Sequence, residues 1–203
     1  MSGALDRPVF VVFEGLDGTG KTSCARALAE RIGARYMTTP CPEVRQLRQS
    51  VLDSFEGNQE AAQLFYLASV FDASAKVRRL LDAGVSVVLD RYFLSTQVYA
   101  AFRASRLELD AAASALVHPD LTVCLHAPLA TRTLRLHGRG CAPADAETLS
   151  PEADALLREG YRRKSSLPVA GRWFDCPNLA CVSSTVDAVM CQLGAIAENV
   201  EVA

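Results

Sequence analysis

Three runs of the chain are apolar almost throughout rather than at alternate positions: residues 9–15 (VFVVFEG), 85–90 (VSVVLD) and 120–126 (DLTVCLH). A strand covered on both faces has no polar side to alternate with, so each run predicts a strand inside a buried sheet. Residues 172–176 (RWFDC) and 34–38 (ARYMT) are weaker strand candidates. Between them, residues 21–32, 59–82, 107–117, 129–137, 151–166 and 186–198 predict helices, and in the second of these Leu64, Leu67, Phe71 and Ala75 recur at helical spacing and mark one face. Strands alternating with helices predict the α/β class, a parallel sheet with helices on both sides and ligands at the carboxyl ends of the strands. No repeat or linker divides the chain. Residues 138–150 (GRGCAPADAETLS) collect Gly, Pro and Ala-Asp clusters and predict a mobile loop.

With 203 residues, half of them apolar, one well-buried core and one domain are expected. Lys plus Arg (21) nearly balance Asp plus Glu (23), which excludes the basic footprint of a protein that binds polymeric nucleic acid. No apolar run reaches membrane-spanning length, and the opening MSGALDRP lacks a basic stretch followed by an apolar core, so a soluble, unprocessed chain without membrane contact is expected. The seven cysteines form an odd set without C-x-x-C blocks, which predicts reduced thiols in a reducing compartment, the cytoplasm. Cys176 and Cys181 as half of a metal site lack a partner pair among three scattered histidines.

The first apolar run leads directly into FEGLDGTGKT, where Gly15, Gly20, Lys21 and Thr22 satisfy G-x-x-x-x-G-K-[ST]. Such a loop wraps a phosphate in backbone N–H groups while the next helix points its positive end inward. Gly18, Thr19 and Ser23 belong to the same cradle; Lys21 would reach the terminal phosphates of ATP, and the Thr22 hydroxyl a Mg2+ ion. An N-K-x-D motif, which a GTPase switch would show, is absent. In the second run Asp90 stands at the carboxyl end of the strand, suited to the metal shell, and Arg91 follows it. The planar guanidinium of arginine makes two parallel charge-assisted bonds to a phosphate.

FEGLDGTGKT followed by DRYFLSTQVYA resembles the thymidylate kinase family of P-loop nucleoside-monophosphate kinases, over about residues 9–189. The resemblance implies a three-layer P-loop fold with a five-stranded parallel sheet and a lid, ATP as donor, Mg2+, a nucleoside monophosphate as acceptor, and commonly a homodimer. It places Asp17 near the acceptor's sugar and phosphate, Arg91 on the acceptor phosphate, Asp90 on the metal side and Tyr99 against the sugar, with Ser95 and Thr96 in the same motif lining the acceptor site. Residues 130–140 (ATRTLRLHGRG) space Arg132, Arg135 and Arg139 at helical intervals and read as the lid, where cations stabilise the charge of a phosphoryl group in transit. Gly18 stands where some members carry a P-loop arginine, so the lid has to supply the charge, Arg135 and Arg139 foremost and Arg132 at the donor.

Two departures concern the acceptor. Where the family carries T-R-E-P-G-G-T, this chain reads TTPCPEV (residues 38–44), and Arg45 or Arg48 could replace the missing charge. The family's F-x-x-x-R, whose arginine helps read thymine, is here Phe65 to Ser69. These features look more like the divergent mitochondrial-type UMP/CMP kinase of the same superfamily. The expected activity is transfer of the ATP γ-phosphate to dTMP. The competing expectations are a UMP/CMP or dUMP/dCMP kinase, a nucleoside kinase with a hydroxyl acceptor, and a nucleotide-binding protein without turnover.

Overall fold

The apolar runs become the centre of a sheet. The computed structural model describes residues 7–178 and 181–200, with side chains described to residue 196; residues 1–6 of the opening segment lie outside it. Five strands, β1 (Phe10–Glu14), β2 (Arg35–Thr38), β3 (Val87–Asp90), β4 (Leu121–His126) and β5 (Arg172–Pro177), pair in the order β2-β3-β1-β4-β5. Every pairing is parallel. All five predicted strands and the three-layer α/β class are therefore present, with β1, β3 and the bulk of β4 fully buried and the weaker candidates β2 and β5 at the two edges.

Successive side chains of a strand point to opposite faces, so β1 feeds two cores. Phe10 and Val12 pack with Leu67, Val70 and Val77 of α3 (Gln59–Asp82), Phe93, Leu94 and Val98 of α4 (Phe93–Phe102), and Leu157 and Tyr161 of α7 (Pro151–Lys164). Val11 and Phe13 pack with Cys24 and Leu28 of α1 (Lys21–Ile32) and Val186, Val189 and Leu193 of α8 (Val182–Val200). Three further helices complete the chain: α2 (Pro42–Ser54), α5 (Leu129–Gly138) and α6 (Pro143–Ala146).

The structure corrects several expectations. Three of the helices, α2, α4 and the short α6, are absent from the sequence prediction, and residues 107–117 contain only a 3-10 turn, Asp110–Ala115. In α3 the face marked by Leu64, Phe71 and Ala75 points outward, and of that set only Leu67 is buried. The inward stripe is Gln63, Leu67, Val70, Ser74 and Val77. Its polar members are accepted because each is bonded: Gln63 donates to Gln97 Oε1 at 2.7 Å and the Ser74 hydroxyl accepts from Val117 N at 2.8 Å. The expected loop at residues 138–150 contains α6 and is tied down by Thr148, which is fully buried.

Gly171 sets the entry to β5. Its φ of 58° and ψ of −150° lie in a region open essentially to glycine alone, and a Cβ there would run into the Pro119 carbonyl oxygen. Gly171→Ala is therefore expected to lower stability by about 2 kcal/mol or more, measured by urea unfolding, while nucleotide affinity of the folded fraction stays unchanged because β5's start is at the opposite end of the sheet from the phosphate loop.

Candidate functional site

The carboxyl ends of β1 and β3 open into one cleft of about 430 Å3, a volume suited to a small-molecule site. Its lining includes Asp17, Gly18, Gly20, Lys21, Thr22 and Ser23 from the loop after β1, and Asp90, Arg91, Ser95, Thr96 and Tyr99 from the segment after β3. Arg48 and Arg139 border the same space. The parallel register explains the meeting: Phe13 pairs with Asp90, so the two loops leave the sheet side by side.

The loop needs its glycines for distinct reasons. Gly15 has φ 128°, and a Cβ there would strike the Leu125 carbonyl oxygen of β4. At Gly18 a Cβ would lie 2.9 Å from the Arg132 carbonyl oxygen, so α5 sits directly against the loop. Gly20 caps α1 with φ 97° and brings no side-chain hydrogen bond to the helix start, and α1 has no acidic residue in its first turn. The unpaired N–H groups and positive end of that helix are thus left for an anion.

Lys21 is 6% exposed and its Nζ donates to the Leu16 carbonyl at 2.7 Å, lying across the loop. Burial, reinforced by the nearby Arg91, pulls its pKa from the ordinary 10.5 to about 8, against the pull of Asp17, Asp90 and Glu14. Arg91 has φ 69°, a left-handed backbone that a non-glycine residue adopts at a cost of about 1–3 kcal/mol. Its guanidinium forms an ion pair with Asp17, donates to Ser95 Oγ at 3.2 Å and sits 5.2 Å from the centre of the Tyr99 ring. The Tyr99 hydroxyl donates to the other Asp17 oxygen at 2.7 Å. Burial alone would raise the Asp17 pKa, but Arg91 and Lys21 hold it well below the usual carboxylate range.

Thr22 Oγ1 donates to Asp90 Oδ2 at 2.5 Å, while Asp90 Oδ1 is buried without a hydrogen-bond partner among the described residues. An orphaned carboxylate oxygen beside a hydroxyl is the oxygen donor set a hard divalent cation takes, so these residues fit Mg2+. A second cluster, Cys124, His126 and Asp175, brings its ligand atoms within 4.8 Å of one another. There Arg158 faces His126 Nδ1 at 3.4 Å and Asp175 faces Nε2 at 2.7 Å, so both ring nitrogens already have side-chain partners.

The three arginines expected to form a lid do not act alike. Arg132 is fully buried behind the loop, donating to the Asp17 carbonyl at 2.6 Å and to Thr148 Oγ1 at 3.0 Å, and paired with Asp154. It is a strut for the loop and does not line the cleft, which corrects its expected place at the donor. Arg135 donates to the carbonyls of Gly18 and Thr19 at 3.2 and 3.3 Å. Arg139 alone borders the cleft, paired at 3.2 Å with Asp145 of α6. Gly15 and Thr19 likewise shape the loop from behind; Thr19 is 1% exposed and bonds the Leu16 carbonyl at 2.8 Å.

A model of the thymidylate kinase family matches residues 13–162. The chain belongs to the thymidylate kinase family. The thymidylate kinase of Xanthomonas campestris pv. campestris (strain B100) is 36% identical over 150 residues, 69% of this chain and 65% of that protein. A probable thymidylate kinase of Thermococcus gammatolerans is 32% identical over 177 residues, 78% of this chain and 84% of that one. The thymidylate kinase of Rhodopseudomonas palustris (strain BisB18) is 30% identical over 186 residues, 80% and 78% of the two chains. The chain thus spans just under two thirds of the length of the Xanthomonas relatives it matches.

The segment expected to contact the acceptor departs further from the expectation than the sequence suggested. Neither Phe65 nor Ser69 lines the cleft; Ser69 is buried and its hydroxyl turns back to the Phe65 carbonyl at 3.4 Å. From α3 it is Gln59, Ala62, Gln63 and Tyr66 that face the space, a rotation of about one residue. Arg103, at the end of α4, also lines it and is bound to Glu147 after α6 through Nε at 2.9 Å. Sequence reasoning passed over Gln63, Tyr66, Arg103 and Glu14. Only Glu14 carried a signal, as the lone charge in an otherwise apolar strand.

Because the folded-state pKa of Lys21 lies below its unfolded value, the folded chain binds fewer protons than the unfolded one between pH 8 and 10.5. Stability from this group therefore rises with pH across that window and is lowest below it. Relative to Lys21→Met, the parent chain should gain about 2–3 kcal/mol between pH 7 and pH 10, read from urea unfolding of both proteins at the two pH values.

Proposed function

We propose that the protein transfers the γ-phosphate of ATP to the 5′-phosphate of a pyrimidine deoxynucleoside monophosphate, dTMP, giving the diphosphate. The observation that carries this reading is the Arg91–Asp17 ion pair. It ties the acceptor-side arginine to the donor's phosphate loop inside one cleft, so two phosphates held by Arg91 and by the loop meet end to end. The loop N–H groups and Lys21 bind and orient the donor tail; Arg91 orients the acceptor phosphate; Arg139 supplies mobile positive charge over both. Mg2+, held by Thr22 and Asp90, would neutralise part of the donor's phosphate charge. The acceptor oxygen is already ionised, so positioning and charge compensation suffice and no general base is required.

A nucleoside acceptor would need such a base. Glu14 is fully buried and absent from the cleft wall, and Asp90 is bonded to Thr22. A UMP/CMP or dUMP/dCMP acceptor is the second reading, favoured by the withdrawal from the cleft of Ser69, which stands at the expected thymine-reading position. No helix among the described residues is long and apolar enough to cross a membrane, and we place the protein in the cytoplasm. A homodimer through the outer face of α3 is supported by Leu64 and Phe71, 50% and 37% exposed. The adjoining Asp72–Lys76 pair makes that face self-complementary, as a two-fold contact requires.

ATP turnover measured with dTMP, dUMP, UMP, CMP and thymidine tests the reaction. dTMP should give the highest kcat/KM, and thymidine no stimulation. Lys21→Ala should cut turnover by about a thousandfold or more with an unchanged circular dichroism spectrum; stimulation by thymidine alone would replace the reading with a nucleoside kinase. For the dimer, Leu64→Glu with Phe71→Glu should sediment as a monomer where the parent chain sediments as twice its 21.9 kDa mass.

A further inference from the structure

Glu14 ends β1, is 0% exposed and has no part in the reaction described above. Both of its carboxylate oxygens are spent on α4. Oε1 accepts the backbone N–H of Tyr92 at 3.0 Å and of Ser95 at 3.2 Å, and Oε2 accepts the Ser95 hydroxyl proton. These are the unpaired N–H groups of a helix start, and Tyr92 at the N-cap position offers no side-chain cap of its own. A carboxylate from a neighbouring strand therefore does the work of a capping residue, with charge favourable to the helix's positive end.

The residue immediately before this cap is Arg91, in its left-handed backbone conformation. Its N–H donates to the Phe13 carbonyl at 3.0 Å and its carbonyl accepts the Thr39 hydroxyl at 2.5 Å. A conformation of this cost persists only where the surroundings fix it on every side. Phe13 holds one side and Glu14 the other. Because Ser95 gives its proton to Glu14, its oxygen lone pairs face the Arg91 guanidinium, which donates to them at 3.2 Å. Tyr161 closes the network, 2.9 Å from Ser95 Oγ and bonded to the Gly15 carbonyl at 3.3 Å. Burial raises the Glu14 pKa, and the bonds from Ser95 and Tyr92 together with the Arg91 charge oppose that rise.

We infer that Glu14 is a positioning residue for the acceptor phosphate: by clamping the first turn of α4 it fixes the backbone turn and the hydroxyl that aim the Arg91 guanidinium into the cleft. This rests on the reading that Arg91 grips a monophosphate. Glu14→Gln keeps the shape, but one end becomes an NH2 group. If the amide oxygen caps the two N–H groups, the NH2 faces Ser95 Oγ and takes one of its two lone pairs, so the hydroxyl proton must turn toward the side where Arg91 and Tyr161 lie and competes with the Arg91 contact.

Isothermal calorimetry with dTMP and with ADP tests the inference. Glu14→Gln should weaken dTMP binding about tenfold, the loss of one charge-assisted contact, and leave ADP affinity within about twofold. General damage would show in ADP first, because the phosphate loop begins at the very next residue. In an Arg91→Ala background Glu14→Gln should add nothing. Equal losses for both ligands, no loss for dTMP, or a full further loss without Arg91 overturn the inference. If Glu14→Gln does not fold, Glu14→Asp, which keeps the charge but falls short of the α4 backbone, is read by the same dTMP-to-ADP ratio. Failure of the parent chain to bind dTMP at all removes the monophosphate reading and this inference with it, whereas dTMP binding that is insensitive to Glu14 removes the inference alone.

Discussion

Charge kept out of water is the constraint that organises this protein. Glu14, Lys21 and Asp90 are buried at the ends of two central strands, and the partly covered Asp17 and Arg91 adjoin them. An isolated buried ion costs several kcal/mol; here each is offset by the others or by directed N–H groups. Lys21 is drawn to about 8 by its burial and by Arg91, while Asp17 is held down by the same two cations once its own burial is overcome. In this set Lys21, Arg91 and the start of α1 stand against three carboxylates; Glu14 is taken up by the N–H groups at the start of α4, while the open N–H groups at the start of α1 remain for an anion. Removing one member leaves another charge less compensated, so a substitution here alters the electrostatics of the site along with the local stability.

The lid follows from the same constraint. Three arginines spaced along one helix differ in what surrounds them. Arg132 is fully enclosed and bonded through each side-chain nitrogen, to the Asp17 carbonyl, Asp154 and the Thr148 carbonyl, so it cannot leave without breaking all of these at once. Arg135 holds loop carbonyls. Arg139, with a side chain 57% exposed, forms with Asp145 the kind of exposed pair worth about 0–1 kcal/mol. Of the three, Arg139 is therefore the one whose ion pair a bound polyphosphate would displace at little cost. α5 is thereby a fixed wall with one mobile cation at its end.

The strand pattern and the phosphate loop were legible because each is written locally. An apolar run fits only a doubly covered strand, and the glycines at 15 and 20 answer close approaches by β4 and by Asn178. What was not legible depends on rotation about a helix axis. α3 is apolar on several sides, so Leu64, Phe71 and Ala75 match the helical repeat as well as the true inner stripe does. The stripe that packs includes Gln63 and Ser74, whose partners Gln97 and Val117 lie 34 and 43 residues away. The same rotation carries Tyr66 into the cleft and Ser69 out of it. Spacing likewise places Arg132, Arg135 and Arg139 near one another but is silent on which of them faces the ligand. α4 was hidden because its sequence is apolar nearly all round, as a helix enclosed between α3 and α7 must be.

Base recognition is where these misplacements converge. Gln63 reaches the cleft wall, but its amide is already committed: Nε2 donates to Gln97 Oε1 and to the Leu107 carbonyl, and Oε1 accepts from Ser105 at 2.5 Å. A side chain so fixed shapes the wall and has few bonds left for a base. Tyr66 and Ala100 add surface, and Arg103 is anchored to Glu147. A site built to hydrogen-bond a substrate group rejects analogues lacking it by about four orders of magnitude, whereas shape alone discriminates by about two. With no bidentate reader at position 69, selection of a base under the proposed function would fall to shape and to the phosphate grip that every monophosphate shares. For the proposed reaction the buried charges would serve the alignment of two phosphates, and the base would be held by contour.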